Sequence, residues 1–156
     1  MLLKDSFTIN APLDAVWAFL SDVPQIATCV PGISGIQQVG DNTYQGKFEV
    51  RVGPIGTAFD GKATFTERIE REKLVALIEG QDKTSATFVS ATFTGMLAPL
   101  EGQTQLDYDV DVALRGRLAQ FGVAVVKATA KKLTGQFAKC LEAKLSESTS
   151  TATSSE

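Results

Sequence analysis

The change of apolar period near residue 117 constrains the fold of this sequence more than any other feature. From residue 103 to residue 114, apolar side chains take alternate positions, with Asp107, Asp109 and Asp111 between them, as in a half-buried strand. After residue 117 the apolar side chains recur at helical spacing, which predicts one long helix over residues 117–145. Its apolar stripe comprises Leu118, Phe121, Val125, Thr129, Leu133, Phe137 and Leu141, widened by Val126, Ala130 and Cys140.

A helix of this length needs a partner surface. About 29 helical residues span about 43 Å at a rise of about 1.5 Å per residue. Because an apolar stripe must be buried against another element, we expect the helix to lie across the apolar side of a sheet.

The segments before the long helix predict strands joined by short connections. Residues 2–9 form the first predicted strand, and Asn10-Ala11-Pro12 begins a short helix, because proline suits the first helical turn. A second short helix ends before Pro31-Gly32. The other predicted strands cover about residues 33–39, 43–52, 57–70, 74–79, 85–97 and 103–114. The predicted fold class is α+β: a curved, seven-stranded antiparallel sheet around a long C-terminal helix, with two short helices after strand 1.

The chain length of 156 residues predicts one domain. We expect this domain to span residues 1–145, and the Ser/Thr-rich residues 146–156 to form a disordered tail. No run of about 18 apolar residues occurs, which argues against a transmembrane helix. The N-terminus lacks the pattern of a signal peptide, so the cytoplasm is the predicted compartment.

Histidine is absent from the sequence, which excludes a histidine-bearing zinc site, a Ser-His-Asp triad and a Cys-His dyad. The two cysteines, Cys29 and Cys140, form no CxxC motif, and structural disulfides are rare in cytosolic proteins. We therefore expect two free thiols, with Cys29 as a small buried apolar residue. A bound metal is not expected.

The net charge of −3 argues against general nucleic-acid binding. Its distribution is uneven, because residues 1–114 carry 8 Lys/Arg and 15 Asp/Glu, a balance of −7, whereas residues 115–145 carry 7 Lys/Arg and one glutamate, a balance of +6. The helix lysines allow two interpretations: a solvated helix face, or a surface that docks on an anionic membrane or an acidic partner. These lysines are Lys127, Lys131, Lys132 and Lys139.

Small residues alternate with aromatic rings on the predicted inner face of the sheet. Glycines and alanines between rings leave room for a hydrophobic ligand, but they also let a sheet curve or pack closely on a helix, so a ligand cavity and a filled core are both open interpretations. We expect a cavity mouth between the turn at residues 53–56 and residues 116–122. The candidate ligand-binding residues are Tyr44, Phe48, Phe59, Gly61, Phe65, Phe93, Tyr108, Phe121 and Val125.

Catalysis inside such a cavity would need an acid or a base, and the predicted inner face offers only Glu67, Tyr44 and Tyr108. Glu67 has Arg68 beside it, which favours a solvated ion-pair cluster. A buried tyrosine hydroxyl can donate to a backbone carbonyl or to a ligand carbonyl, such as that of a quinone. We therefore predict a binding protein and no enzyme; an enzyme acting on a small hydrophobic substrate is the more distant alternative.

Three segments carry a resemblance to a known family. They are NAPLDAVWAFLSDVPQIATCVPG, VGPIGTAFDGKATF and RGRLAQFGVAVVKATAKKLTGQFAKCL. The first resembles the start of helix-grip domains in the START-like (SRPBCC) superfamily. Together the three resemble the CoxG-type branch of that superfamily, the CoxG subunit of carbon monoxide dehydrogenase, over about residues 1–145.

The resemblance implies a helix-grip fold, an apolar cavity and no covalently bound or metal cofactor. It also implies service to a molybdenum-containing CO dehydrogenase-type enzyme and peripheral attachment at the inner face of the membrane. The ligand we expect is a respiratory quinone or a lipid, and the alternative is a structural recruitment adaptor without a ligand. Some family members carry a C-terminal extension that reaches the bilayer, whereas this sequence ends in a polar Ser/Thr tail.

Overall fold

The computed structural model of the protein describes the backbone of residues 1–154 and the side chains of residues 1–146. In chain order its elements are β1 (Leu2–Ile9), α1 (Leu13–Leu20), α2 (Val23–Ala27), β2 (Ile33–Gly40), β3 (Thr43–Val52), β4 (Ile55–Ile69), β5 (Lys73–Asp82), β6 (Thr87–Leu100), β7 (Gln103–Arg115), a short 3-10 helix (Arg117–Phe121) and α3 (Val123–Ser154).

The seven strands form one antiparallel sheet in the order β1-β7-β6-β5-β4-β3-β2. Strands β2 to β6 each pair with the next strand in the chain, and β1 pairs with β7 at the other edge of the sheet. This confirms the predicted α+β class with seven strands, two short helices after β1 and a long C-terminal helix. A β-bulge between Phe65 and Glu67 interrupts the pairing of β4 with β5, and bulges of this kind bend and twist a sheet.

The long helix begins later than the sequence predicts. Arg117–Phe121 is a 3-10 helix, and Gly122 separates it from α3. The residues on either side of the 3-10 helix, Gly116 and Gly122, have φ values of 97° and 86°, a backbone conformation that glycine adopts readily and L-residues rarely. The prediction of one continuous helix over residues 117–145 is therefore wrong at its start.

Two apolar clusters make up the core. The buried members of the main cluster are Ile9, Ala11, Val16, Phe19, Leu20, Cys29, Leu74, Leu97, Leu106, Leu141 and Leu145, with Leu13, Ala15, Trp17, Ile26, Phe65, Phe137 and Cys140 packed against them. The second cluster buries Val52, Phe59 and Leu118, with Phe48, Val50, Ile55, Val89, Phe121 and Val125 packed against them. The main cluster thus holds the later part of the apolar stripe, and the second cluster holds its start.

The stripe between these two clusters is less buried than the sequence predicts. Leu118 and Leu141 are 2% and 0% exposed, whereas the intervening stripe residues are all only partly buried: Phe121, Val125, Thr129, Leu133 and Phe137. The prediction of a largely buried stripe is wrong for this middle section. The physical reason is that the clusters engage the stripe at its two ends, and no buried cluster member comes from residues 122–136.

The two cysteines form a disulfide, so the prediction of two free thiols is wrong. Cys29, just after α2, is bonded to Cys140 on α3, with the two Cα atoms 5.4 Å apart. The prediction that Cys29 is buried is confirmed, since it is 3% exposed. The partners lie 111 residues apart in the chain, and only the packing of α3 beside the α2 segment brings them together.

No helix among the described residues combines the length and the apolar character needed to cross a membrane. The backbone of α3 runs through Ser154, beyond the helix end predicted at residue 145. The side chains of the predicted disordered tail, residues 146–156, fall mostly outside those described, and its disorder stays a prediction.

Candidate functional site

The inner face of the sheet, which carries Phe48, Phe59 and Phe65 toward α3, has small residues at its centre. One row across β3, β4 and β5 consists of Gly46, Gly61 and Gly80 in direct register. A Cβ placed on Gly61 would meet only backbone oxygens, those of Glu79 at 3.5 Å and Gly46 at 3.8 Å, and no side chain within 4 Å. Ile36 occupies the place of a Cβ on Gly46, and Val89 and Phe59 lie against Gly80, so the unfilled space is limited to the middle of β4, above Gly61.

The next row toward the main cluster is also incompletely covered. Ala63 on β4 lies between Tyr44 on β3 and Ile78 on β5, and Ile78 is followed by Ala91 on β6. Ile78 is 40% exposed although it shares the face that looks toward α3. A large apolar side chain left this open at the centre of a sheet face means that neither α3 nor a neighbouring side chain covers it.

The apolar stripe of α3 spans this open region. Phe121 and Val125 contact the sheet through the second cluster, and Phe137 packs with Phe65 against the main cluster. Thr129 and Leu133 lie between those two contacts and are partly exposed. Two apolar faces thus oppose each other and are packed at both ends but not in the middle.

At one end of this space the structure brings four predicted ligand-binding residues together. Phe48, Phe59, Phe121 and Val125 all belong to the second cluster. Gly53, in the β3–β4 turn, lies close enough that a Cβ on it would be 3.5 Å from Val125. The turn and the start of α3 are therefore in contact, and packed side chains fill the place where the sequence predicts a mouth.

At the other end the remaining predicted rings form two pairs. Tyr44 and Phe65 meet edge to face with centroids 6.0 Å apart, and Phe93 stacks on Tyr108 at 5.8 Å. Phe7 of β1 stacks on the opposite side of Tyr108, also at 5.8 Å. The sequence prediction missed Phe7, although its alternate position in β1 with Leu3 and Asp5 was the available signal.

The nine predicted residues therefore do not form one contiguous cluster. Four lie in the second cluster, four form the aromatic pairs, and Gly61 lies in the glycine row between them. The register of β6 keeps Phe93 on the inner face and puts Phe88, which is 51% exposed, on the other. A broad, open concavity of about 830 Å³ does occur, but its charged lining belongs to the opposite face of the sheet: Lys47, Asp60, Lys62, Glu79 and Arg115.

Tyr108 supplies a polar group within this apolar space. It is 9% exposed, and burial raises the pKa of its phenol; a side-chain hydrogen bond with Thr134 acts in the opposite direction, and the charge of Asp5 raises the pKa further. The Thr134 hydroxyl donates to the carbonyls of Ala130 at 3.0 Å and Lys131 at 3.1 Å within α3. A neutral phenol donor therefore faces α3 at the edge of the open region.

Glu67, the one acidic residue predicted on the inner face, does not lie there. The bulge after Phe65 shifts the register so that Glu67 pairs with Val75, and its carboxylate forms an ion pair with Lys73 at 3.4 Å. An inserted residue moves the following side chain to the other face of the sheet. The inner face thus loses the acid predicted for it, but Asp5 of β1, directly opposite Tyr108 in the register, is a carboxylate on the same face. The predicted ion-pair character of Glu67 is confirmed.

A buried polar network supports the 3-10 helix that precedes α3. The carboxylate of Asp82, which is 3% exposed, accepts from the N–H of Thr84 at 2.9 Å, the hydroxyl of Ser85 at 3.1 Å and the N–H of Ala58 at 3.3 Å. Burial raises the pKa of Asp82, but the hydrogen bonds from Ala58, Ser85 and Thr84 together outweigh it and lower the pKa.

The same network reaches the 3-10 helix through Thr87, which is fully buried. The Ser85 hydroxyl lies 2.9 Å from Thr87 Oγ1, and that oxygen accepts from the N–H of Leu118 at 3.4 Å. The β5–β6 connection thereby fixes the start of the 3-10 helix and, with it, Leu118 in the second cluster.

In the described part of the chain, no group of three or more His, Cys, Asp or Glu side chains comes close enough together to hold a metal ion. The arrangement of the site, two apolar faces with a few hydroxyl groups and the Asp5 carboxylate at one edge, is suited to holding an apolar molecule.

The family model for CoxG, a subunit of carbon monoxide dehydrogenase, matches residues 6–146 of this chain. No curated protein matches significantly. A solved structure of a conserved protein from Geobacillus kaustophilus is similar with a TM-score of 0.89 at 21% identity, covering 95% of this chain and 97% of that chain.

Two further structures show the same fold. A START superfamily protein from Mycobacterium smegmatis has a TM-score of 0.73 at 16% identity, covering 94% of this chain and 97% of that one. An aromatase/cyclase from a Streptomyces species has a TM-score of 0.67 at 16% identity, covering 94% and 93%. The predicted START-like helix-grip fold is confirmed, and the family and fold together suggest a binding or accessory protein.

Proposed function

We propose that this chain, which belongs to the CoxG family of carbon monoxide dehydrogenase subunits, is a non-catalytic protein that binds a hydrophobic molecule between its sheet and α3. The molecule is a respiratory quinone or a lipid. The protein serves or recruits a molybdenum CO dehydrogenase-type enzyme at the membrane, and the redox chemistry stays with the cofactors of that enzyme.

The observation that carries this proposal is the incomplete burial of two opposed apolar faces. Gly61 has no side chain within 4 Å of its missing Cβ, and Ile78 is 40% exposed at the centre of the inner face. A soluble domain gains about 25 cal/mol for each Å² of apolar surface removed from water. Leaving both faces open therefore sacrifices stability that a bound apolar molecule would restore.

The hydroxyl groups at the edge of the space suit a ligand with a carbonyl. Tyr108 is a buried neutral donor that faces Thr134, and Tyr44 lies in the neighbouring aromatic pair. A quinone carbonyl can accept from such a phenol, whereas its ring can stack on the aromatic side chains. A lipid acyl chain would use the same apolar walls without this hydrogen bond.

Native mass spectrometry of the purified protein, mixed with a total lipid extract that contains quinones, tests the proposal directly. We expect a bound species whose mass, after release, identifies a quinone or an acyl lipid. A protein that remains free of ligand at every extract concentration contradicts the proposal.

A second candidate function, a recruitment adaptor without a ligand, is favoured by one observation. Four exposed lysines lie on α3: Lys127, Lys131, Lys132 and Lys139. None of the ion pairs among the described residues involves these lysines. An exposed cationic helix face is attracted to an anionic surface by about 1 kcal/mol for each lysine close to it. The two functions differ in their ligand, so the mass-spectrometric result separates them.

A further inference from the structure

The Cys29–Cys140 disulfide is the only covalent cross-link between α3 and the rest of the domain in the described residues. Its position on α3 is significant, because Cys140 immediately precedes Leu141, which is fully buried in the main cluster. Two residues after Cys140, Glu142 accepts a hydrogen bond from the N–H of Asn10 at 2.8 Å. The covalent bond, the buried leucine and this hydrogen bond together form the C-terminal anchor of α3.

Outside this anchor, α3 is held lightly. Its other end rests on the second cluster through Val125 and follows Gly122, a glycine whose missing Cβ has nothing within 4 Å. Between the two ends, Tyr108 of β7 faces Thr134 of α3. The open space described above lies beneath this lightly held part of the helix, so a ligand bound there would contact it.

The disulfide is accessible on one side. Cys29 is 3% exposed, whereas Cys140 is partly exposed. A thiolate from solvent can therefore reach the sulfur of Cys140 more readily than that of Cys29. In the cytoplasm, which is the compartment that the sequence predicts, disulfides are usually transient and redox-sensing.

We propose that the Cys29–Cys140 disulfide is a redox clasp that controls ligand exchange: the oxidised protein holds α3 against the sheet and retains its ligand, and reduction loosens α3 and speeds the release of the ligand. This proposal rests on the proposed function. A dithiol reductant supplies the two electrons. One of its thiolates attacks the Cys140 sulfur and expels the Cys29 thiolate, and its second thiolate then resolves the mixed disulfide. The reductant leaves as a disulfide, and the two protein thiolates take up the two protons that it lost.

The experiment compares oxidised and dithiothreitol-reduced protein with a fluorescent probe, stearate labelled with nitrobenzoxadiazole. We expect the probe to dissociate at least about tenfold faster from the reduced protein. The matched control is the Cys29→Ala/Cys140→Ala double variant, which lacks the clasp and should dissociate at the fast rate with or without dithiothreitol. Circular dichroism verifies that each form is folded.

A second measurement does not depend on the ligand. Hydrogen exchange of the α3 amides over residues 127–136 should speed up about tenfold on reduction, while the amides of β5 and β6 keep their protection. Equal probe dissociation rates in the two redox states overturn the clasp and leave the proposed function standing. Absence of binding of the stearate probe in both states contradicts the lipid form of the proposed function, and unchanged α3 exchange overturns the clasp by itself.

Discussion

The carbonyl oxygen of Ala86 occupies the place where a side chain on Gly116 would begin, 1.8 Å from the ideal Cβ position. The connection between β5 and β6 is therefore in direct contact with Gly116, the residue just before the 3-10 helix. This contact and the Thr87–Leu118 hydrogen bond fix the start of the C-terminal segment independently of α3.

Gly116→Ala should be strongly destabilising, because it combines a backbone clash with a φ of 97°. Strain in the left-handed region alone costs about 1–3 kcal/mol, and relieving the clash adds to this cost. Gly122→Ala is the matched control, since Gly122 has a φ of 86° but open space at its Cβ. Urea denaturation should show the larger loss of unfolding free energy for Gly116→Ala; equal losses would mean that the Ala86 contact is unimportant.

Gly61→Leu should block ligand binding without unfolding the protein. The new side chain would enter the unfilled space above β4, so we expect the affinity for decylubiquinone or a fatty acid to fall by at least tenfold, which corresponds to about 1.4 kcal/mol. Lys62→Leu adds the same side chain to the next residue, on the opposite face of the sheet, and should bind normally. If the space is in fact filled in solution, Gly61→Leu should instead lose about 1–3 kcal/mol of stability through overpacking.

Leu141→Ala should cost more stability than Phe137→Ala, although phenylalanine is the larger residue. Leu141 is fully buried, and such substitutions cost about 2–5 kcal/mol. Phe137 is only partly buried, so its truncation should fall below the range of about 3–5 kcal/mol that applies to a core phenylalanine. Thermal and urea unfolding of the two variants measure the order, and the reverse order would show that the middle of α3 is packed.

Asp82 should make the protein less stable at acidic pH. Hydrogen bonds lower its folded pKa below the unfolded value of about 3.9, so its stabilising contribution is present above the unfolded pKa. As the pH falls through the folded pKa, the unfolded state binds more protons and the contribution is lost. From about pH 4 downward, the unfolding free energy of the wild type should fall more steeply than that of Asp82→Asn.

The Asp82 comparison needs a second variant, because the pKa of Asp107 is also lowered, by hydrogen bonds from Ser6 and Gln105. With Asp107→Asn, the unfolding free energy should likewise fall less steeply as the solution becomes acidic. The exposed Asp107 lies far from the network at Thr87. Only Asp82→Asn should therefore also loosen the 3-10 helix, and faster hydrogen exchange of the Leu118 amide would measure this. An Asp82→Asn protein with the wild-type acid profile contradicts the assignment.

The exposed lysines of α3 should mediate binding to anionic vesicles if the protein docks on a membrane. Vesicle co-sedimentation should weaken with salt, because the Debye length shrinks from about 10 Å at 0.1 M to about 3 Å at 1 M. A triple Lys→Gln change at Lys127, Lys131 and Lys132 should abolish it. The same change at Lys47, Lys62 and Lys83 alters the net charge equally but should not abolish binding. Vesicle binding that does not depend on salt would mean that the lysine face of α3 is merely solvated.

The strands could be predicted closely because their signals are local. The alternation in β7 and the turn before Thr43 are examples of such signals. The predicted bounds of β1 and β3 agree with the observed bounds at both ends. The break at Gly122 could not be read from the apolar stripe, because Leu118 and Phe121 keep helical spacing through the 3-10 helix. The contact of Ala86 with Gly116 fixes where the 3-10 helix begins, and a tertiary contact of this kind leaves no local signal in the sequence.

The site was predictable in its residue types and less so in its arrangement. Phe59 and Phe93 follow from strand parity, but the bulge after Phe65 reverses Glu67, and bulges leave little trace in a single sequence. The disulfide was missed for a similar reason. Its two cysteines lie far apart in the chain, and their meeting depends on how α3 crosses the α2 segment.

The position of the single tryptophan gives this protein a built-in optical reporter. Trp17 lies on α1 and packs against the main cluster, which contains Leu141. Its emission therefore senses the anchored end of α3 and not the open region near Ile78. Ligand arrival and helix detachment can accordingly be followed as two separate signals, from a bound fluorophore and from one native indole, in an unlabelled chain.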